Sequence, residues 1–193
     1  IDTLKLVETY RKYLQENNWI RFEKFNHKDI LFENISVKYH SLEAAKIIFC
    51  EGFGLKKNPY FNHLPLEEVK GEIITILAPE LEIDFLLKST LFVLPLGNNH
   101  YKVGATFNHK DKTSIPSKEG KEELIEKLKK VITVPYSIVE QSAGIRPAVK
   151  DRRPMVGIHA KHSQLSVLNG LGTRGVMIAP TVAKNLFHHL EYG

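Results

Sequence analysis

The sequence predicts a mixed fold, α/β plus α+β, in which an antiparallel sheet with one helix is inserted into an α/β framework. In the first and last portions, compact apolar runs at residues 45–50 and 165–168 each lead into a glycine-rich turn, at Gly52 and at Gly170. The run at residues 45–50 is typical of a strand in a parallel sheet that is buried on both faces, and the run at residues 165–168 is interpreted as a second strand. The middle portion instead carries strand-like runs joined by short loops, which favours antiparallel pairing.

The first portion begins with a predicted helix. Asp2 or Thr3 can cap it, and apolar residues recur at helical spacing until about Glu16. Cys50 is expected to be a buried strand residue rather than a nucleophile. Alternating or compact apolar runs predict short strands at residues 19–25, 30–32, 36–39 and 45–50.

The middle portion is predicted to form the inserted sheet. A pair of asparagines, Asn98 and Asn99, predicts the turn of a hairpin, and the lysine- and glutamate-rich segment 118–132 predicts an amphipathic helix. The last portion is expected to end in a strand at Leu165, a glycine turn and a helix that runs to about Leu190. Strands of the inserted sheet are predicted at residues 72–77, 90–94, 101–107 and 139–142.

Composition excludes several classes of protein. With 42% hydrophobic residues, the 193-residue chain can bury a core, and we do not expect disorder. It contains no apolar run of about 18 residues that would span a membrane, and its one cysteine, Cys50, excludes an internal disulfide and a cysteine-rich metal site. We therefore expect a cytoplasmic protein without a metal. The net charge of +5 reflects ordinary surface lysines or attraction to an anionic ligand, and no basic run with interleaved aromatic residues favours nucleic acid.

The segment Gly-Leu-Gly-Thr-Arg-Gly at 170–175 has the spacing of the dinucleotide-binding fingerprint. That fingerprint requires a second strand after the helix, with an acidic residue about 20 positions on that binds the ribose. Glu191 lies near that distance, but no strand is predicted to hold it, so we interpret the spacing match as a decoy. A glycine turn that leads into a helix still offers free N–H groups and the positive end of the helix dipole to an electron-rich group.

Arg146 and Arg174 are the candidate ligand-binding side chains. Arg146 lies between Ile145 and Pro147, whereas Arg174 lies on the glycine turn itself. Arginine offers a planar fork that matches a carboxylate, so together these residues suit recognition of a small acid. Taken singly, each is as well explained as a partner in a structural ion pair. No nucleophile, acid–base or metal motif accompanies them, and the sequence predicts no catalytic side chain.

Three stretches near the carboxyl terminus resemble the signature of the FAD-dependent D-amino-acid oxidase family, to which glycine oxidase and sarcosine oxidase belong. They are Ala-Gly-Ile-Arg-Pro at 143–147, Asp-Arg-Arg-Pro-Met-Val-Gly at 151–157 and Val-Leu-Asn-Gly-Leu-Gly-Thr-Arg-Gly at 167–175. Upstream, residues 47–54 resemble the family's strand-and-glycine element beside the cofactor, and residues 69–72 resemble the start of its substrate-domain sheet. The family's amino-terminal βαβ unit has no counterpart in this sequence. We therefore expect the chain to be the carboxy-terminal portion of a longer flavoprotein, with the missing amino-terminal half as its partner.

This resemblance implies a domain organisation and a reaction. Residues 1–69 and 143–193 would form the distal part of a discontinuous FAD-binding domain, and residues 70–142 would form the antiparallel substrate domain. The reaction would transfer a hydride from a C–H group next to an amine to the N5 atom of a non-covalent FAD, whose own chemistry removes the need for an acid–base cluster. We expect the isolated chain to be inactive, because FAD binding would also need the amino-terminal half.

The resemblance also implies roles for individual residues. Arg146 would bind the carboxylate of a small amine or amino-acid substrate, and Arg174 would supply a second contact. Phe92 stands where glycine oxidase has a tyrosine, so one substrate hydrogen bond would be absent. The implied cofactor contacts are Gly52, Gly54, Gly172, Thr173, Arg174, Gly175, Val176 and Met177.

Two other functions are kept as alternatives. The chain could be a non-catalytic module that binds a small carboxylate through Arg146 and Arg174, or a basic protein that acts on RNA. A dinucleotide-binding unit encoded upstream would favour the enzyme over the module. Binding to RNA would have to appear at low salt, where phosphate contacts are strongest.

Overall fold

The computed structural model describes residues 2–193, which form two compact units. Unit 1 comprises residues 2–64 and Pro154–Gly193, and unit 2 is the contiguous segment Pro65–Arg153. The helices are α1 (Thr3–Glu16), α2 (Lys118–Leu128) and α3 (Gly175–Tyr192). The strands are β1 (Ile30–Phe32), β2 (Val37–Tyr39), β3 (Leu42–Ala44), β4 (Ile47–Phe49), β5 (Leu66–Leu77), β6 (Leu87–Lys88), β7 (Phe92–Gly97), β8 (His100–Gly104), β9 (Ser137–Val149), β10 (Met155–Ile158) and β11 (Leu165–Asn169). This arrangement confirms the predicted combination of α/β and antiparallel elements.

Unit 2 is built on a five-stranded antiparallel sheet with the strand order β6-β7-β8-β5-β9. Helix α2 covers one face of it, and the apolar core lies between them. The fully buried side chains of this core are Ile74, Ile76, Ala78, Val93, Val103, Leu124 and Leu128. Since side chains alternate along a strand, the residues next to these in sequence, such as Phe92 and Ile73, point to the opposite face.

The long ladder between β5 and β9 sets the limits of unit 2. Its pairs run from Leu66 and Val149 at one end to Leu77 and Ser137 at the other. The sequence places the boundaries at 69/70 and 142/143, whereas the compact units divide at 64/65 and 153/154. The difference arises because β9 continues as a strand through Arg146, so this residue belongs to the sheet of unit 2.

Local signals in the sequence account for several elements of unit 2. Asn98 and Asn99 connect β7 to β8 with positive φ angles of 50° and 59°, as the predicted hairpin requires. Helix α2 begins after Ser117, whose side chain accepts a hydrogen bond from the amide of Gly120 at 3.0 Å. It ends at Leu128 rather than at residue 132 as predicted. A turn follows, in which the backbone amides of Val131 and Ile132 both donate hydrogen bonds to the Leu128 carbonyl.

Unit 1 contains the predicted first helix and, as β4 and β11, the strands predicted at residues 45–50 and 165–168. The carboxylate of Asp2 caps α1 by accepting a hydrogen bond from the amide of Lys5 at 3.1 Å. Strand β11 pairs with β4 in parallel and with β10 in antiparallel orientation. Strands β1, β2 and β3 form a separate antiparallel sheet.

Three expectations for unit 1 are wrong. Residues 19–25 form no strand, because their backbone groups have no partner strand within the described chain. Strand β4 is buried on one face only, since Phe49 is 4% exposed whereas Ile48, which points to the opposite face, is 43% exposed. Cys50, which follows that strand, is exposed rather than buried.

Among residues 2–193, none of the helices has both the length and the apolar character needed to cross a membrane.

Candidate functional site

In unit 1, two glycine turns lie at one edge of the sheet. Strands β4 and β11 run parallel, so their carboxyl ends meet at the same edge, where α/β sheets place ligands. Gly52 follows β4 with a φ of 58°, and Gly170 and Gly172 follow β11 with φ angles of 70° and 58°. These left-handed conformations favour glycine, which explains why glycines stand at all three positions.

Asn169 connects the two turns. Its side-chain amide donates a hydrogen bond to the carbonyl of Gly52 at 2.9 Å, and its side-chain oxygen accepts one from the amide of Gly170 at 2.8 Å. The residue is only 3% exposed. Sequence reasoning missed Asn169, although a polar residue at the end of an otherwise apolar buried strand is a usable signal. Because of this bridge, the two turns predicted to contact the cofactor are held side by side.

A second polar network supports the turn that begins at Gly52. The carboxylate of Glu51 accepts hydrogen bonds from Asn58 Nδ2 at 2.7 Å and pairs with His27 Nε2 at 2.8 Å. Asn58 is fully buried, and its side-chain oxygen accepts a bond from the amide of Tyr60 at 2.8 Å. The turn over Gly52–Lys57 is therefore fixed at both of its ends.

The turn after β11 passes into α3 without a side-chain cap. A single 3-10 turn, Gly172–Arg174, precedes Gly175 at the start of the helix, whose first amides have no partner within the helix. A Cβ at Gly172 would meet no atom within 4 Å, so the space next to this residue is open. Glycine is favoured there by the left-handed backbone conformation and not by crowding. Met177 in the first helical turn is 68% exposed. Together these features form a positively polarised, accessible surface.

The other predicted cofactor residues of unit 1 differ in their exposure and in whether the fold requires the residue type found there. Thr173 and Arg174 are exposed, and Val176 is 43% exposed. Gly54 is neither in a left-handed conformation nor crowded, since a Cβ there would lie 3.6 Å from the Cβ of Glu51. A glycine at position 54 is therefore not required by the fold of this turn.

In unit 2, Arg146 extends from β9 over the neighbouring strand β5. Its backbone pairs with Val69, and its guanidinium lies over Gly71, where a Cβ would overlap with it. Nη1 donates a hydrogen bond to the carbonyl of Thr106 at 3.2 Å, and the guanidinium carbon lies 4.7 Å from the centre of the Phe107 ring. The side chain is thus held by a carbonyl, an aromatic face and a bare stretch of backbone.

Arg146 has no counter-ion within unit 2. Burial lowers the pKa of its guanidinium, which nevertheless stays protonated at neutral pH. No carboxylate of residues 2–193 forms an ion pair with it, and only one of its N–H donors has a hydrogen-bond acceptor in the described chain. A partly buried cation that lacks a partner favours the binding of an anion.

Phe92 lies on the same face of the sheet as Arg146. In the ladder, Phe92 is opposite Gly104, which is opposite Ile73. A Cβ on Gly104 would lie 2.5 Å from Cγ2 of Ile73 and 3.0 Å from Cζ of Phe92, so both side chains occupy the space above this glycine. Gly71 lies two residues from Ile73 on that face. The structure therefore brings the predicted substrate residues Arg146 and Phe92 to one apolar surface.

The strand beneath Arg146 is clamped from its other face. Lys70 Nζ donates hydrogen bonds to Asp111 at 2.6 Å and to the carbonyl of Ile115, and lies 3.3 Å from the Glu72 carboxylate. Glu72 accepts bonds from the amide and hydroxyl of Ser117 at 2.8 and 2.6 Å and from Gln141 Nε2 at 2.8 Å. Lys70 and Glu72 are both buried, and Gly71 lies between them.

The structure does not unite the two predicted arginines within one unit. Arg146 belongs to the sheet of unit 2, and Arg174 belongs to the glycine turn of unit 1. Their joint action on one ligand stays a prediction. Arg174, like Arg146, forms no ion pair with residues 2–193.

Comparison with known proteins gives a family match over almost the whole chain. The model of the DAO family, described as FAD dependent oxidoreductase, matches residues 1–188. The tRNA 5-methylaminomethyl-2-thiouridine biosynthesis bifunctional protein MnmC of Idiomarina loihiensis is 30% identical over 162 residues, which cover 78% of this chain and 26% of that protein. Glycine oxidase of Bacillus subtilis is 24% identical over 189 residues, which cover 90% of this chain and 51% of that enzyme.

A solved structure has the same fold. The crystal structure of glycine oxidase from Geobacillus kaustophilus matches with a TM-score of 0.69 at 20% identity, covering 86% of this chain and 48% of that one. The chain thus spans about a quarter of the length of the first relative and about half the length of the glycine oxidases.

Proposed function

Because the chain belongs to the DAO family of FAD-dependent oxidoreductases, we propose that the whole protein oxidises a small amine or amino acid that carries a carboxylate. Unit 1 contributes to FAD binding, and unit 2 binds the substrate carboxylate. The observation that carries this proposal is the half-buried Arg146, which has no counter-ion among residues 2–193 and keeps most of its donors free. Names of relatives support the substrate class, since glycine is an amino acid with a carboxylate next to its amine.

The residues of unit 1 fit an electron-rich, flat group. The turns at Gly52 and Gly172 offer backbone without side chains, and Asn169 holds the first of them beside Gly170. The amides at the start of α3 and its dipole favour negative charge there. When bound, FAD supplies the acceptor for the hydride that leaves the carbon next to the amine. The protein residues bind and orient, and none of them is assigned a proton-transfer role.

In unit 2, Arg146 binds and orients. Its free N–H donors hold the carboxylate through charge-assisted hydrogen bonds, while the contact with Phe107 and the bond to Thr106 restrict its movement. The carbon skeleton of the substrate then lies toward Ile73 and Phe92 on the same sheet face. Phe92 offers no hydrogen-bond donor, so it contributes by apolar contact and by excluding water.

The first test is the cofactor and its reduction. The full-length protein, purified without added flavin, is expected to be yellow and to bleach under anaerobic conditions with glycine, N-methylglycine or D-alanine. A colourless full-length protein that takes up no added FAD would refute the enzyme proposal. If such a protein still bound acetate, the non-catalytic carboxylate-binding module would be the correct alternative, because Arg146 favours an anion in either case.

The second part of this test concerns Arg146. Arg146→Ala is expected to raise the KM for the amino-acid substrate about 10- to 100-fold, as expected when a charge-assisted hydrogen-bond partner is removed. Arg153→Ala is the matched control, since Arg153 is exposed and outside the sheet face described above. Equal KM values for Arg146→Ala and the unchanged enzyme would show that the carboxylate is bound elsewhere.

A further inference from the structure

We infer that Gly71 is a positioning residue: its missing side chain sets where the Arg146 guanidinium lies, and thereby sets the affinity of the site for a carboxylate. This inference rests on the proposed role of Arg146. It adds to the site a residue that has no side chain and therefore cannot contact the ligand through one.

The argument begins with the space above β5. Arg146 stands opposite Val69, and Gly71 is the next residue of β5 on the same face, within reach of a long side chain along the diagonal. The three atoms nearest to an added Cβ at Gly71 are Nη1, Nη2 and Cζ of Arg146. The guanidinium therefore occupies the volume that any other residue at position 71 would fill.

The strand cannot easily move to relieve such an overlap. The neighbours of Gly71 are the buried Lys70 and Glu72, which are bonded on the α2 face to Asp111 and to Ser117. Arg146, by contrast, is a flexible side chain whose end carries the overlap. Ordinary van der Waals contact begins at about 3.4 Å, so a methyl group at position 71 would displace the guanidinium by about 1 Å or more. A misplacement of this size at a binding group lowers the rate or the affinity strongly.

The chain offers a matched control in Gly144. This residue lies directly opposite Gly71 in the β5–β9 ladder, and a Cβ added there would meet no atom within 4 Å. Neither position has a left-handed backbone, so alanine is compatible with both. Gly71→Ala and Gly144→Ala therefore place the same methyl group on the same sheet face, with and without an overlap with Arg146.

The experiment uses the full-length protein and acetate as the carboxylate probe, with acetamide as its uncharged counterpart, and measures binding by calorimetry or by NMR. Gly71→Ala is expected to raise the Kd for acetate about tenfold or more and to leave acetamide unaffected. Gly144→Ala is expected to change both values less than about twofold. In the Arg146→Ala background, Gly71→Ala should have no further effect on acetate, because the residue that it displaces is gone.

Crystal structures of the two alanine variants make the result independent of the ligand. The Arg146 guanidinium should shift in Gly71→Ala and stay in place in Gly144→Ala. An unshifted guanidinium, or equal acetate affinities in Gly71→Ala and the unchanged protein, would overturn the inference. If Arg146→Ala leaves acetate binding unchanged, the proposed function itself fails, whereas weaker binding in Arg146→Ala with unchanged binding in Gly71→Ala would overturn only the inference about Gly71.

Discussion

At the scale of single residues, burial of Lys70 and Glu72 costs desolvation free energy but fixes the position of strand β5. Both are buried on the α2 face of the sheet, and removing such charges from water costs several kcal/mol. The cost is offset because each charge has several partners, among them Asp111 for Lys70 and Ser117 for Glu72. The network fixes the stretch of β5 over which Arg146 lies. The buried ion pair on the α2 face therefore helps to hold the backbone beneath Arg146 on the opposite face.

Glu72→Gln should destabilise the protein by about 3 kcal/mol, since it leaves Lys70 buried with one carboxylate fewer. The free energy of unfolding, measured by denaturant titration, reports the change. Glu67→Gln on the same strand is the control, because Glu67 is only partly buried and should change this free energy by less than about 0.5 kcal/mol. Equal stabilities of the two variants would show that Glu72 is not the centre of the network.

This stability difference should depend on pH. Burial alone would raise the pKa of Glu72, but hydrogen bonds from Ser117, Gln141 and Lys70 outweigh it and lower the pKa below 4.5. The contribution of Glu72 is therefore fully present above pH 4.5 and is lost as the pH falls through the lowered value. The hydrogen bond from Lys70 lowers the pKa of Asp111 to about 2, so the stability that this carboxylate contributes is likewise lost only as the pH falls to strongly acid values.

At the scale of elements, the hairpin between β7 and β8 shows how a local sequence determines a local structure. Asn98 and Asn99 both adopt positive φ angles, a conformation that asparagine and glycine tolerate and that costs other residues about 1–2 kcal/mol. The register in which Phe92 lies opposite Gly104 is set by this turn together with a shift between Pro95 and Gly97. The turn and the shift together determine which side chains face the candidate substrate surface.

Asn99→Gly should leave the thermal midpoint unchanged or raise it, whereas Asn99→Ala should lower the free energy of unfolding by about 1 kcal/mol, because alanine disfavours the left-handed region. The pair of substitutions is compared by calorimetry. A fall in stability with glycine as large as that with alanine would mean that the asparagine side chain, rather than the backbone conformation, stabilises the turn.

The elements that the sequence predicted were those with local signals. A capping residue and helical spacing identified α1, an amphipathic pattern identified α2, a pair of asparagines identified a hairpin, and apolar runs identified β4 and β11 as strands. The strand predicted at residues 19–25 is absent because alternation of side chains does not provide a pairing partner. The roles of Asn169 and Gly71 could not be predicted from the sequence either. Both residues act through contacts with residues that are distant in sequence, and a local sequence pattern does not reveal such contacts.

At the scale of the whole molecule, unit 1 exposes much apolar surface among the described residues. Helix α1 buries none of its side chains, and α3 buries only Leu186. Patches of this kind usually mark surfaces that another segment covers, and the chain spans only about half the length of the glycine oxidases that it resembles. The exposed apolar residues of unit 1 include Leu4, Val7, Tyr10, Trp19, Phe22, Val176, Met177 and Phe187.

Residues 1–193 expressed alone should therefore self-associate, and size-exclusion chromatography should give an apparent mass above that of the 22.1 kDa monomer. Lysine substitutions at Leu4 and Tyr10 should lower the apparent mass, because they place charge on the exposed face of α1. The full-length protein should be insensitive to concentration under the same conditions if its remaining half covers this surface. A clean monomer of residues 1–193 would contradict the expectation.

The parallel pairing of β4 with β11 joins two segments that are far apart along the chain. Ile47 and Leu165 are neighbours in that pair, yet the whole of unit 2 separates them along the chain. During synthesis, the whole of unit 2 is made before β11, so β4 cannot pair with β11 until unit 2 is complete. Leu66 and Val149 face each other at one end of the β5–β9 ladder, so a folded unit 2 replaces a long flexible loop with a short connection and lowers the entropy lost on closing it. We therefore expect that prior folding of the inserted sheet favours the pairing of β4 with β11, although both of these strands lie outside it.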